Sequence, residues 1–362
     1  MQSIIAKKGQ NKTNNTMIIA GPCSAETRSQ VILAAKELAD QNLDYFRAGI
    51  WKPRTRPNSF EGVGEIGLEW LKEVKEKYGM KCCIEVAVPA HVEMAIKAGI
   101  DAVWLGSRTT TNPFAVQEIA TALSGVNIPV WVKNPMNADL NLWIGAIERI
   151  GQAGIDEIAA IHRGFSHYGP SVYRNEPIWE IPRALKSVFP EIPIIHDPSH
   201  IAGNTDLIEP LISRAMQENM DGLMIECHPD PSKAWTDAKQ QIPSRNLGQL
   251  LAGIRSNSLR DLEAENLENW RREINYLDEN LIHLLDKRAK LSLEIGRLKR
   301  TNNKAILQEK RWGEVLSRNV GIAQERNLNV DYISQLFELI HQESIRLQLD
   351  NVDSKQLVNG MP

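Results

Sequence analysis

Along the first two thirds of the chain, short apolar runs rich in β-branched residues recur at regular intervals. They are Met17–Ala20, Tyr45–Ile50, Cys82–Val88, Ala102–Leu105, Pro129–Val132, Glu157–Ile161, Pro193–Ile195 and Gly222–Ile225. Between them lie stretches of helical period, such as Val31-Ile32-Leu33…Leu38-Ala39 and Val92–Ile96. Near-continuous apolar strands alternating with helices predict a parallel sheet covered on its outer face. Eight such units within residues 17–250 predict a (β/α)8 TIM barrel, the α/β class, more readily than an open sheet. No Gly-x-Gly-x-x-Gly turn follows any strand, so a dinucleotide-binding fold has no support.

The pattern changes after Gly248–Gly253 and Ser256-Asn257-Ser258. From Leu259 to Arg300 apolar residues recur at helical spacing, among them Leu267, Ile274, Leu277, Leu281, Leu284, Leu291, Ile295 and Leu298, and no proline interrupts. A helix of roughly 40 residues is about 60 Å long. Two shorter helices, from Leu307 to Ala323 and from Asp331 to Leu349, cannot cover its apolar face, so pairing with a second subunit is expected. The expected organisation is a flexible 1–16, a barrel at 17–250, a linker at 251–262, an all-α three-helix domain at 263–350 and a disordered tail at 351–362.

Composition narrows the classes. With 362 residues, 42% hydrophobic content and a net charge of −3, the chain is expected to be a soluble globular protein of two domains. The near-neutral balance argues against nucleic acid or an anionic membrane as partner. Residues 1–16 lack the apolar centre of a signal peptide, and no run approaches the ~20 apolar residues of a membrane span. The four cysteines have neither zinc-finger nor disulfide-framework spacing, so a reducing cytoplasm is the expected compartment.

Barrels keep their chemistry at the carboxyl ends of the strands. Here all eight ends are polar or charged: Cys23, Arg47 with Lys52 and Arg54, Glu85, Ser107-Arg108, Lys133-Asn134, His162-Arg163, His196 through His200, and Glu226-Cys227-His228. Arg47, Lys52, Arg54, Arg108, Lys133 and Arg163 put six cations around one mouth. Unpaired they would repel, so an anionic ligand is expected, either two phosphates or a phosphate and a carboxylate. Cys23, His200, Glu226 and Asp237 form a second set of thiol, imidazole and carboxylates suited to one divalent ion such as Mn, Fe, Co or Zn. Alone, Cys23 would read as a small buried residue and Asp237 as a helix-start acid.

Gly21-Pro22-Cys23-Ser24, Lys52-Pro53-Arg54-Thr55, Gly106-Ser107-Arg108, Lys133, Arg163-Gly164, Asp197-Pro198-Ser199-His200 and Glu226-Cys227-His228-Pro229-Asp230-Pro231 occur in the order of the DAHP synthases. The region from 17 to about 245 resembles the short barrel form of that family, without an N-terminal regulatory extension. The resemblance implies condensation of phosphoenolpyruvate with erythrose 4-phosphate. It places Cys23, His200, Glu226 and Asp237 as metal ligands, and Arg47, Lys52, Arg108, Lys133 and Arg163 at the phosphoenolpyruvate. Arg54, Thr55 and Ser107 fall at the aldose phosphate, with Lys52 as proton donor. Glu85 is expected either to orient water or a cation or to form a structural ion pair. The related octulosonate-phosphate synthases carry Lys-Ala-Asn-Arg-Ser-Ser where this chain has Lys52-Pro53-Arg54-Thr55, which favours the four-carbon acceptor. Arg56 and Asn134-Pro135 depart from the synthase pattern.

In the helical segment, Arg288 and Lys299 lie 11 residues apart and share a face about 16 Å apart, a spacing suited to gripping a small dianion. Ser344 and Gln348 are at i and i+4. Arg271 lies about 25 Å from Arg288 and would reach only the site of a partner in an antiparallel dimer. Trp270-Arg271, Lys287-Arg288, Ile295-Gly296-Arg297-x-Lys299 and Ile333…Ser344…Gln348 are similar to the all-helical chorismate mutases. That resemblance implies a cofactor-free conversion of chorismate to prephenate lined by Arg271 of the partner subunit, Arg288, Lys299, Gln308, Arg311, Ser344 and Gln348. Trp312 stands where that family often has Glu. A fusion of the two resemblances implies feedback by prephenate or chorismate through the helical domain. A catalytically silent prephenate sensor and a dimerisation scaffold are the other two readings of this segment.

Overall fold

A computed structural model describes residues 16–169, 171–256 and 259–350. The expectations for 1–15 and 351–362 therefore lie outside the described residues. The chain divides into two compact units, one ending at Trp270 and one beginning at Arg271.

In the first unit eight parallel strands close on themselves: β1 Met17–Gly21, β2 Tyr45–Arg47, β3 Cys82–Val86, β4 Ala102–Leu105, β5 Val130–Lys133, β6 Ile158–His162, β7 Ile194–His196 and β8 Gly222–His228. Each pairs with the next, and β8 pairs back onto β1 with Met17 opposite Gly222 and Gly21 opposite Glu226. All eight expected strands are present, displaced by a few residues at their ends. A short β9, Ile242–Pro243, pairs with the end of β8.

The helices are α1 Arg28–Leu38, α2 Ile66–Tyr78, α3 Pro89–Lys97, α4 Ser107–Thr110, α5 Pro113–Leu123, α6 Leu140–Gln152, α7 Glu180–Val188, α8 Pro198–Ala202 and α9 Ile208–Gln217. Alternation along each strand divides the core. Ile19, Cys83, Trp104, Trp131, Ile161, Ile195 and Met224 fill the barrel interior, whereas Ile18, Ala20, Ile84, Val103, Val132 and Ile225 join the helices outside. The interior is therefore packed solid, which leaves the strand ends as the place for a site. Gly21 has φ +145°, and a Cβ there would lie 2.1 Å from the Arg47 carbonyl oxygen. Only glycine lets β1 approach β2 so closely where Cys23 leaves the barrel.

Residues 251–256 and 259–262, expected as linker, are helical: α10 is Leu247–Ser256 and α11 is Leu259–Thr301. In the second unit α11 is followed by α12, Glu309–Glu325, and α13, Val330–Asp350, so the three predicted helices are present. Leu277, Leu281, Leu284, Leu291, Ile295 and Leu298 of α11 remain exposed, as expected of a helix too long for its neighbours. Among the described residues no helix is long and apolar enough to cross a membrane.

Candidate active sites

The barrel brings Cys23, Glu226 and Asp237 together from the turn after β1, from β8 and from the loop after β8. The Cys23 Sγ and one carboxylate oxygen from each acid all lie within 4.8 Å of one another. His200, from α8, stands at the edge of this group with Nε2 3.6 Å from Glu226 Oε1. Its Nδ1 lies 2.8 Å from Asp197 Oδ2, so the ring is oriented by a carboxylate behind it. Asp237 holds a left-handed backbone, φ 51° and ψ 34°, a conformation that Asp tolerates better than most residues.

The electrostatics test whether this set suits a cation. Burial and the neighbouring Glu226 push the Cys23 thiol up to about 12, with Lys52 opposing. Burial works against charge on Glu226 and Asp237 as well. His200 and Arg47 nevertheless hold Glu226 below its usual value, and Arg174, His200 and Lys52 do the same for Asp237. Two ionised carboxylates against a protonated thiol form a donor set that a divalent ion would complete by displacing the thiol proton. The residues fit a metal of the class the sequence implied.

The cations divide into two groups, which corrects the expectation of six unpaired charges. Arg47 is buried, with Nη2 2.9 Å from Glu226 Oε1 and its guanidinium 5.1 Å from the Trp104 ring centre. Lys133 is also buried, with Nζ 2.9 Å from Asp197 Oδ2. The strand-end carboxylates thus neutralise two of the six from inside. Lys52, Arg54, Arg108 and Arg163 have no carboxylate partner among the described residues. Lys52 Nζ lies 3.2 Å from Cys23 Sγ. Arg54 donates to the Phe60 carbonyl, and Arg108 donates twice to Thr55 Oγ1 at 3.2 and 3.0 Å. Arg163 donates to Asn175 Oδ1 at 2.7 Å, and burial lowers its pKa to about 10. Ser107 is buried, and its Oγ has no partner among the described residues.

Several supporting residues carried no signal in the sequence. Asn134, noted only as a departure, accepts from the Arg163 backbone N–H at 2.7 Å and donates to the Gly164 carbonyl at 2.8 Å, locking β5 to β6. Gln240 donates to Glu226 Oε2 at 2.7 Å, and Gln241 accepts from the Cys23 N–H at 3.0 Å. Asp197, quoted only as part of a motif, joins Lys133 to His200. Glu85 accepts from Trp104 Nε1 at 3.3 Å rather than forming an ion pair among the described residues.

In the helical unit, Arg288 Nη1 donates to Ser344 Oγ and, at 3.3 Å, to the Ile340 carbonyl, so α11 and α13 meet at two of the predicted residues. Gln348 packs against Gly296, where an added Cβ would come within 2.9 Å of its Cγ. Lys299 Nζ donates to the Ile306 carbonyl at 2.5 Å. Burial lowers the pKa values of both Arg288 and Lys299. Trp312 stacks on His341 with ring centres 4.0 Å apart and planes 4° from parallel. Burial lowers the pKa of His341, and Arg288 and Lys299 depress it further. Both cations thus act on an imidazole that the sequence did not single out. Gln308 and Arg311 are exposed, and Arg311 pairs with Glu314 at 3.1 Å. The structure does not bond either of them to Arg288, Lys299, Ser344 or Gln348. Arg271 is exposed on α11.

Comparison with known proteins follows the same division. Residues 270–349 match the model for chorismate mutase type II. Over 82 residues the chain is 40% identical to a bifunctional chorismate mutase/prephenate dehydratase of Buchnera aphidicola, covering 23% of this chain and 21% of that protein. A phospho-2-dehydro-3-deoxyheptonate aldolase of Thermotoga maritima is 33% identical over 229 residues, 62% of this chain. The chain spans 64% of the length of that relative. The crystal structure of a Thermotoga maritima phospho-2-dehydro-3-deoxyheptonate aldolase (DAHP synthase) superposes with a TM-score of 0.60 at 30% identity, over 66% of this chain and 68% of that one. Residues 3–256 match the model for the DAHP synthetase I family. The barrel, its strand-end cations and its thiol–carboxylate cluster thus have a common explanation: the chain belongs to the DAHP synthetase I family.

Proposed function

We propose that the barrel condenses phosphoenolpyruvate with erythrose 4-phosphate and water to give DAHP and inorganic phosphate, and that the helical unit rearranges chorismate to prephenate. The observation that carries the first reading is the thiol–carboxylate cluster standing beside cations that lack carboxylate partners. Cys23, Glu226, Asp237 and His200 would hold a divalent ion, which would supply Lewis acidity toward an aldehyde carbonyl. Arg108, Arg163 and Lys133 bind the phosphate and carboxylate of phosphoenolpyruvate. Lys133 keeps ammonium hydrogens for a ligand while Asp197 fixes its position. Arg54, Thr55 and Ser107 hold the aldose phosphate. The enol carbon attacks the aldehyde carbon, and Lys52 delivers a proton to the alkoxide oxygen. Water then adds at the carbon bearing the phosphate ester, and the carbon–oxygen bond to phosphate breaks. Arg47 pairs with Glu226 through Nη2, and its Nε and Nη1, without a partner among the described residues, remain as donors for the phosphoenolpyruvate carboxylate.

In the helical unit the observation that carries the reading is the meeting of α11 and α13 through Arg288 and Ser344, with Lys299 three turns further along α11. The rearrangement forms no bond to protein, so catalysis consists of holding the compact conformer and placing positive charge beside the breaking ether bond. The exposed leucines of α11 support a homodimer through this unit, with Arg271 of the partner subunit completing each site. Prephenate or chorismate bound there inhibits the barrel, a coupling that requires the two ligands to influence one another's affinity reciprocally. Lys299→Met tests the assignment. Chorismate consumption should fall by about 100-fold or more while condensation stays at its wild-type rate. An unchanged mutase rate would refute it, and DAHP formation that ignores saturating prephenate would remove the feedback.

A further inference from the structure

The connection between β6 and α7 touches the metal ligands and the substrate cation at once. Arg174 Nη1 lies 2.9 Å from Asp237 Oδ1, while the other oxygen of that carboxylate, Oδ2, receives the Cys23 thiol at 3.3 Å. The same Nη1 lies 2.5 Å from Gln240 Oε1, and Gln240 in turn donates to Glu226 Oε2 at 2.7 Å. Arg174 also lies against Gly203, the left-handed cap of α8, where a Cβ would come within 2.5 Å of the Arg174 Cβ. The α8 helix carries His200. The backbone N–H groups of Arg174 and Asn175 both donate to the Ile201 carbonyl, and Asn175 Nδ2 donates to the His200 carbonyl at 2.6 Å. Asn175 Oδ1, finally, accepts from Arg163 at 2.7 Å.

Two elements that supply the thiol–carboxylate–imidazole set, the loop after β8 and α8, thus meet on two consecutive residues, and Glu226 of β8 joins them through Gln240. None of these contacts follows from strand pairing, so the barrel alone does not dictate them. From this geometry we infer that Arg174 and Asn175 are positioning residues, which hold Asp237, Glu226 and His200 in register and tie that register to Arg163. The inference rests on the metal reading above. Arg174 engages one oxygen of Asp237 and so leaves the other directed toward Cys23. Its side chain is partly solvent-exposed, at 45%, so its removal leaves no large buried void.

Titration of the metal-free full chain with Co(II) tests this, following the thiolate-to-cobalt charge-transfer absorption. Arg174→Ala is expected to weaken Co(II) binding by about 10- to 100-fold, the usual cost of losing a partner behind a metal ligand. Arg174→Lys should recover part of that loss, since an ammonium can reach one of the two oxygens. Melting of the metal-free protein should move by no more than about 4 °C, because the ion pair is partly screened. Asn175→Ala is expected to raise the KM for phosphoenolpyruvate as well as the Co(II) dissociation constant, whereas Arg174→Ala should act on Co(II) more than on KM. Co(II) affinity of Arg174→Ala within threefold of wild type overturns the inference. A wild-type chain that shows no cobalt–thiolate absorption overturns the metal reading, and this inference with it.

Discussion

Asp197 joins two of the proposed functional groups and is itself buried, so its charge has a measurable price. Its Oδ2 lies 2.9 Å from Lys133 Nζ and 2.8 Å from His200 Nδ1, and its Oδ1 accepts the His200 N–H at 3.1 Å as the cap of α8. Asp197→Asn keeps the volume and the cap, since Asn caps helices as well as Asp. What it removes is the counter-charge of Lys133, whose side chain is only 5% exposed. Breaking one partner of such a buried pair costs about 3–5 kcal/mol. Burial opposes the Asp197 charge, yet His200 and Lys133 hold its carboxyl well below the usual range. A carboxyl depressed on folding contributes stability that is complete above its unfolded value, about 3.9, and is lost only as pH falls toward the folded value. The full penalty is therefore expected at pH 7. Urea unfolding followed by the fluorescence of the buried Trp104, Trp131 and Trp143 measures it. Lys133→Met alone should also destabilise. The Lys133→Met, Asp197→Asn double variant should be more stable than the sum of the singles by at least about 1.5 kcal/mol, because no buried charge is left stranded. A single-variant cost below about 1 kcal/mol, or strict additivity, would refute the coupling.

Burial depresses the imidazole of His162 to about 4. With an unfolded value of about 6.5, the unfolded chain binds the proton more tightly between these values, so stability rises with pH across the window and is complete above it. The loss from His162 alone should reach about 2 kcal/mol by pH 5, and a flat urea midpoint from pH 7 to 5 would contradict it. Gly296→Val should push α11 from Gln348 and cost about 1–3 kcal/mol in the helical unit. Chorismate turnover should be lost before DAHP formation, and equal loss of both would count against a local effect. Leu284→Glu, on the exposed face of α11, should shift sedimentation toward monomer and remove mutase activity with it; an unchanged assembly would exclude this face as the interface.

The barrel was legible because each strand is a short apolar run ending in a polar residue, and alternation across the sheet is a local property. The thiol–carboxylate cluster was readable for the same reason: Cys23 just follows β1 and Glu226 lies on β8, strands that neighbour one another through the β1–β8 closure. The pairing of Arg47 with Glu226 was not, since both lie at strand ends and only the closed ring decides which charges face inward. Arg174 and Asn175 sit in an irregular segment and Gln240 in a single 3-10 turn, too short for periodicity to mark a direction for a side chain. In the helical unit the 11-residue spacing of Arg288 and Lys299 placed them on one face. The stacking of Trp312 on His341 depends on how α12 and α13 pack, which spacing along either helix does not encode.

The central claim is two chemistries in one chain, of which only one uses a metal. Paired assays on the purified chain test it most directly: DAHP formation from phosphoenolpyruvate and erythrose 4-phosphate, and consumption of chorismate, each with and without a chelator. The account predicts that chelation abolishes DAHP formation, that a divalent ion restores it, and that chorismate consumption is the same in both conditions. DAHP formation that survives chelation, or a chorismate rate that falls with it, would contradict the account.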